Sequence, residues 1–232
     1  MDQNGLASAA QYMPLFPLIG AFTGLIAGTF TWSLESILPS LLAGALGLGI
    51  ILLLNGAQHI DGLLDFGDGI MCHGSRARKL RVMRDPQTGA GGFVLGWITL
   101  TATALAIASI SRNFMIQSLL ASEAAAAFSM VLEAWAGKAA HKGMSSMFVS
   151  AMHTEKRDLR VLLSVVLLLL IVISALYTIG ILVIIVALAV PLTMLLLSEK
   201  AFGGITGDVM GATNEVTRLT SLVIILVGLR WL

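Results

Sequence analysis

Between Arg160 and Glu199 the chain runs for 38 residues without a Lys, Arg, Asp or Glu. A stretch of that length has no face to offer water. A bilayer core is about 30 Å thick and is crossed by about 20 apolar residues in a helix. The window therefore predicts two crossings, with a tight turn between Tyr177 and Gly180. Charge-free windows also lie between Asp2 and Glu35, Glu35 and Asp61, and Asp85 and Arg112. Composition agrees: 57% hydrophobic and 12% charged, against roughly 25% charged in soluble domains. The class predicted is an all-α, polytopic membrane bundle of about seven helices, forming one domain over residues 1–232.

The crossings fall at 15–32, 37–57, 91–110, 114–136, 161–178, 180–197 and 219–232. The fourth is Ala-rich and carries Glu123 and Glu133, and the seventh is short. The first fourteen residues hold no Lys or Arg, so they lack the basic start of a secretory signal, and the first apolar segment is expected to be retained. Cys72 is the single cysteine, which excludes an intramolecular disulfide.

Alternating the segments between two sides puts twelve Lys and Arg on one side, in 58–90, 137–160 and 198–218, against Arg112 and Arg230 on the other. Cytoplasmic loops carry such an excess. The chain is therefore expected in the cell membrane as a multi-pass protein, with the N-terminus and those three loops in the cytoplasm.

The first of these loops concentrates acids. Asp61, Asp65 and Asp68 are spaced by four and three, which makes them neighbours if the stretch is helical. Clustered carboxylates repel, and raised pKa values, basic partners or a divalent cation relieve the repulsion. Mg²⁺ suits such a set, because it takes oxygen ligands and is commonly held by one or two carboxylates plus substrate phosphates. Gly62, Gly67, Gly69 and Gly74 would allow backbone to approach a ligand, and Arg76, Arg78 and Lys79 follow at once. Carboxylates, glycines and arginines together make a phosphoryl-transfer kit. The plainer alternatives are a solvated acidic turn and basic residues that only anchor lipid headgroups. His59 stands where it could serve as a base or a substrate contact, and imidazole is a poor Mg²⁺ ligand. Arg84 and Asp85 precede Pro86, which discourages helix at Asp85 and predicts a loop leading through Gly89 into the next crossing.

The segment 202–218 repeats the chemistry with Asp208, Asn214 and Glu215. Seven residues separate its two acids, so one helix face can present both. Gly207 and Gly211 make a small-residue strip suited to close helix contact. Two acidic, glycine-rich patches on one membrane side suggest one shared site.

The pieces "HIDGLLDFGDG" at 59–69, "GSRARKLRVMRDPQTGAGG" at 74–92 and "GGITGDVMGATNE" at 203–215, in that order, resemble the cobalamin synthase family, the adenosylcobinamide-GDP ribazoletransferases. The resemblance spans most of the chain. It implies a Mg²⁺-dependent transfer in which the 5′-hydroxyl of α-ribazole, or its 5′-phosphate form, joins the cobinamide phosphate and GMP leaves. Carried over by position, it implies Asp61, Asp65, Asp68, Asp208 and Glu215 as metal ligands. His59, Asp61 or Asp65 would do the proton chemistry. Arg76, Arg81, Arg84, Asp85, Gly89, Asn214 and Glu123 would contact substrate or phosphate. The expected partners are the two substrates and the lipid bilayer, not nucleic acid, with a second copy or pathway enzymes left open. The sequence departs from the family at Ala124 to Ala127, where a basic residue often follows the acid, and at Lys142, where an acid is common.

Two rivals are weaker. A CDP-alcohol phosphotransferase signature begins well at "DFGDG", residues 65–69, but Cys72 and His73 replace its Ala-Arg and Val82 replaces its Gly. An ion transporter would draw on Glu123 and Glu133 as intramembrane acids, yet most acids collect at one membrane face.

Overall fold

The computed structural model describes Gly5 and residues 9–231, apart from the side chain of Met144. The expected placement of the N-terminal stretch thus lies partly outside the described residues. From Phe16 onward, the described residues form ten helices in order: α1 Phe16–Leu34, α2 Ser40–Leu54, α3 Gln58–Met71, α4 Arg76–Val82, α5 Ala90–Ser109, α6 Met115–Ala136, α7 Met144–Met152, α8 Arg157–Leu176, α9 Thr178–Phe202 and α10 Gly207–Leu229. Short 3-10 turns at Met13–Leu15 and Arg112–Phe114 lead into α1 and α6. Among the described residues there is no strand, and six helices are long and apolar enough to cross a membrane. The broken pair α2 and α3 makes a seventh if it counts as one span.

The fourth crossing, α6, has an unpromising composition for lipid contact because it does not face lipid. It is the central helix, buried along nearly its whole length. Its backbone meets the glycines of α1: a methyl group on Gly20 would lie 2.7 Å from Ala127 Cβ, one on Gly24 2.7 Å from Leu120 Cα and one on Gly28 2.8 Å from Ile116 Cα. Small residues on both sides let two backbones approach, and van der Waals contact drives such packing in a bilayer. Helices α8, α9 and α10 complete the sheath around α6.

The second crossing ends sooner than its apolar run suggests. Helix α2 has 15 residues, about 22 Å, and the chain then turns through 95° into α3. Gly56 and Ala57 make that turn with φ of 61° and 56°. Left-handed backbone costs an L-residue roughly 1 to 2 kcal/mol, so Ala57 is held there by what packs on either side. The acidic stretch thereby becomes a separate amphipathic helix lying across the end of α2, packed on α10 and α5.

The largest correction concerns the second motif. It is not a loop over 198–218. Helix α9 runs to Phe202, the chain leaves helix only over 203–206, and α10 starts at Gly207 with Thr206 Oγ1 accepting from the Val209 N–H at 3.2 Å. Asp208 to Arg218 are therefore the first three turns of a 23-residue helix. The expected short seventh crossing at 219–232 is the rest of the same helix. The turn between α8 and α9 falls at Tyr177, as predicted. A parallel pairing joins 138–140 to this junction, with Ile205 N–H donating to Lys138 O at 2.8 Å and Ala140 N–H to Ile205 O at 2.9 Å.

Candidate active site

The acids of the first motif are presented by the geometry of α3. Its inward face is Gly62, Leu63, Phe66, Gly67 and Gly69, all buried, and Asp61, Asp65 and Asp68 lie along the other side. The glycines bring helices together more than they cradle a ligand. A methyl group on Gly62 would stand 2.9 Å from Asp208 Cα, and one on Gly211 would stand 3.1 Å from His59 O. Backbones of α3 and α10 therefore almost touch, as the small-residue strip predicted for Gly211. A methyl group on Gly67 would stand 2.9 Å from Gly91 O, and Gly69 packs on Met83 and Phe202. Gly207 differs: nothing lies within 4 Å of the methyl it lacks.

That approach carries Asp208 to the acids of α3. Asp65 is partly exposed, and its carboxyl is pushed up to about 6, first by burial and then by the charges of Asp208, Asp61 and Asp68. His59 is moved the other way, down to about 4, mainly by burial and then by the Arg218 charge, with Glu215 opposing. Its imidazole is neutral at physiological pH. Asp208 Oδ2 accepts from Thr206 Oγ1 at 3.2 Å.

Asp68 is held differently. Its Oδ2 accepts from the Gly89 N–H at 2.7 Å and its Oδ1 from the Gly92 N–H at 2.8 Å. It thus caps the N-terminus of α5, whose free N–H groups it accepts from. Gly89, expected at a phosphate, instead fastens α3 to α5.

Glu215 does not join the other carboxylates. It and Glu123 both pair with Arg218, which is fully buried between them. Arg218 Nη2 also donates to Glu123 Oε2 at 3.2 Å and to Asn214 Oδ1 at 3.0 Å. Glu133 is likewise buried and accepts from Thr213 Oγ1 at 2.7 Å. Both intramembrane acids on which an ion path would rest are tied to α10. The sequence reading missed this network, although Glu215 and Arg218 stand at the three-residue spacing of helical neighbours. Among the described residues, no three His, Cys, Asp or Glu side chains are grouped closely enough to hold a metal ion by themselves.

The basic residues divide too. Arg76 donates through Nη2 to Glu199 O at 2.9 Å and through Nε to Lys200 O at 3.3 Å, clamping the end of α9. Lys79 donates to Gly69 O and Ile70 O at the end of α3. Arg81 and Arg84 are exposed. Asp85 Oδ1 accepts from the Gln87 N–H at 3.0 Å within its own loop.

No solved structure matches the chain. It is 34% identical over 222 residues to an adenosylcobinamide-GDP ribazoletransferase of Methanocella arvoryzae, covering 90% of this chain and 82% of that one. It is 31% identical to the enzyme of that name from Methanococcoides burtonii, over 99% and 87% of the two chains. With the one from Pyrococcus abyssi it shares 34% identity over 79% and 76%. The cobalamin-5-phosphate synthase family profile matches residues 2–226. With a match over nearly its whole length, the chain belongs to the cobalamin-5-phosphate synthase family.

Proposed function

We propose that the chain transfers the cobinamide phosphate of adenosylcobinamide-GDP to α-ribazole, or to its 5′-phosphate, with release of GMP. The observation that carries this reading is the meeting of Asp208 on α10 with Asp61 and Asp65 on α3, in a chain whose relatives bear the name of that transferase. The nucleoside oxygen attacks the phosphorus next to cobinamide. A new P–O ester bond forms, the pyrophosphate P–O bond breaks, GMP leaves, and the hydroxyl proton passes to a group beside it. His59, Asp61 and Asp208 line one cavity, and one of them would receive that proton.

Asp61, Asp65 and Asp208 offer hard oxygen donors, and their mutual repulsion, felt at Asp65, leaves negative charge for a cation to neutralise. These donors suit Mg²⁺, which keeps waters and takes substrate phosphate oxygens to complete its shell. When bound there, the ion would neutralise charge developing on the leaving phosphate. Exposed Arg81 and Arg84 would meet the substrate phosphates. Asp68 and Glu215 are engaged with Gly89, Gly92 and Arg218 and serve to position the two helices.

Purified chain in lipid vesicles, supplied with both substrates and Mg²⁺, is expected to release GMP and form a completed corrinoid. Chelation should stop the reaction and added Mg²⁺ restore it. Absence of product in active-lipid conditions sinks the reading. The excess of Lys and Arg on the side of α3 and α4 supports a cytoplasmic site in the cell membrane. Cys72, at the end of α3, reports on this: a membrane-impermeant maleimide is expected to label inside-out vesicles and spare right-side-out ones. The reverse pattern would place the site outside.

A further inference from the structure

A cavity of about 600 Å³ opens beside the acids, between α1, α3, α6, α7 and α10. Its walls differ in character. Asp61, the exposed one of the three acids that line it, marks its mouth, with His59 and Asp208 beside it. Phe16, Thr23, Ala127, Met130 and Phe148 make the rest mostly apolar. Set into that apolar wall are Glu123 and Asn214, each at most 3% exposed.

Asn214 has an orientation imposed on it. Its Oδ1 accepts from Arg218 Nη2 at 3.0 Å, and the guanidinium can only donate, so the amide nitrogen must point away from it. That Nδ2 makes no hydrogen bond among the described residues, while the residue lines the cavity. That nitrogen is not sealed among the fully buried atoms, so it keeps access to the cavity, and a ligand with an acceptor atom there would accept from it.

Asp208, Gly211 and Asn214 follow at three-residue intervals and all line the cavity. Six residues of helix rise about 9 Å, so one elongated ligand can reach the mouth with one end and Asn214 with the other. The space lies within the roughly 300 to 1,000 Å³ of small-molecule pockets. A corrinoid carrying GDP is several times the size of a nucleoside and cannot be enclosed there.

We propose that this cavity is the subsite for the acceptor nucleoside, an inference that rests on the transfer reaction above. The flat, largely apolar aromatic base of α-ribazole enters the space that α1, α3, α6, α7 and α10 enclose, and its unsubstituted ring nitrogen accepts from Asn214 Nδ2. The ribose end lies at the mouth, its hydroxyl among His59, Asp61 and Asp208. The corrinoid stays outside and presents its pyrophosphate across that mouth. Arg218, which touches no substrate, thereby becomes the group that sets the direction of the Asn214 amide.

Two variants test this in vesicles, with each substrate varied in turn and binding of labelled α-ribazole followed by equilibrium dialysis. Asn214→Leu removes the donor, together with the oxygen that accepts from Arg218. Ile19→Trp, at an exposed position of α1 lining the cavity, narrows the space without touching the Arg218 network. Each is expected to raise KM for α-ribazole at least tenfold, with KM for adenosylcobinamide-GDP and the rate at saturation of both within twofold. If the wild type turns over and both variants keep their KM for α-ribazole within twofold, or the corrinoid KM rises instead, the assignment is overturned. If the wild type makes no product yet binds α-ribazole, and both variants lose that binding, the transfer reading fails and the subsite stands. Equal nucleoside binding by all three proteins overturns it, as expected of a cavity filled by lipid.

Discussion

Asp65→Asn is expected to lower GMP release at least about a thousandfold while the protein inserts, accumulates and melts like the wild type. The variant keeps the shape of the side chain and deletes one charge. In the folded protein that charge is disfavoured, since burial and the charges of Asp208, Asp61 and Asp68 raise the carboxyl to about 6. Deleting it relieves repulsion and leaves no buried group without a partner, because Asp65 is partly exposed. Catalysis has the opposite dependence. Stabilising the charge of a transferring phosphoryl group by a metal is worth several kcal/mol, and each 1.36 kcal/mol is about a factor of ten in rate. The measurement pairs a GMP assay with a melting curve of the purified protein in lipid. Wild-type turnover in this variant would remove Asp65 from the site, and a large fall in melting temperature would mean that the charge holds the fold.

The reverse pattern is expected at Arg218. Arg218→Met leaves Glu123 and Glu215 inside the bundle without their cation, and breaking a buried ion pair costs about 3 to 5 kcal/mol. Yield and melting temperature should fall sharply whether or not substrate is present. Restoring charge balance is expected to recover most of the loss: Arg218→Met combined with Glu123→Gln and Glu215→Gln removes the uncompensated charges. A single variant that melts with the wild type, or a triple variant no better than the single one, would show that the network does not hold α6 to α10. The two experiments separate acids kept for chemistry from acids kept for the bundle.

That separation is what the linear chain concealed. Asp208 and Glu215 lie on one helix at a seven-residue spacing, and nothing in that spacing says that one reaches α3 while the other turns to Arg218. Taken as a cytoplasmic segment, 198–218 keeps Glu215 and Arg218 outside the crossing expected to start at 219. Glu215, Arg218 and Glu123 satisfy one another instead, so the helix carries them into the bundle. Arg76 and Gly89 followed the same logic in reverse. Their composition suited phosphate, and the fold spends them on the end of α9 and on Asp68.

Much was nevertheless determined by the sequence alone. Charge-free windows long enough for a bilayer compelled a helical membrane protein, because spans of that length and hydropathy have few other stable forms. Three motifs in order were enough to indicate the family. The spacing of Asp61, Asp65 and Asp68 already put them together on one helix, a local property that depends only on 3.6 residues per turn. The tertiary structure decided the break at Gly56 and Ala57 that lays α3 across the end of α2, the meeting of Asp208 with that helix, the burial of Glu215 against Arg218, and the cavity that Asn214 faces. Each of these depends on contacts between residues far apart in the chain, where the cost of burying a charge or a donor is set by what another helix brings to it.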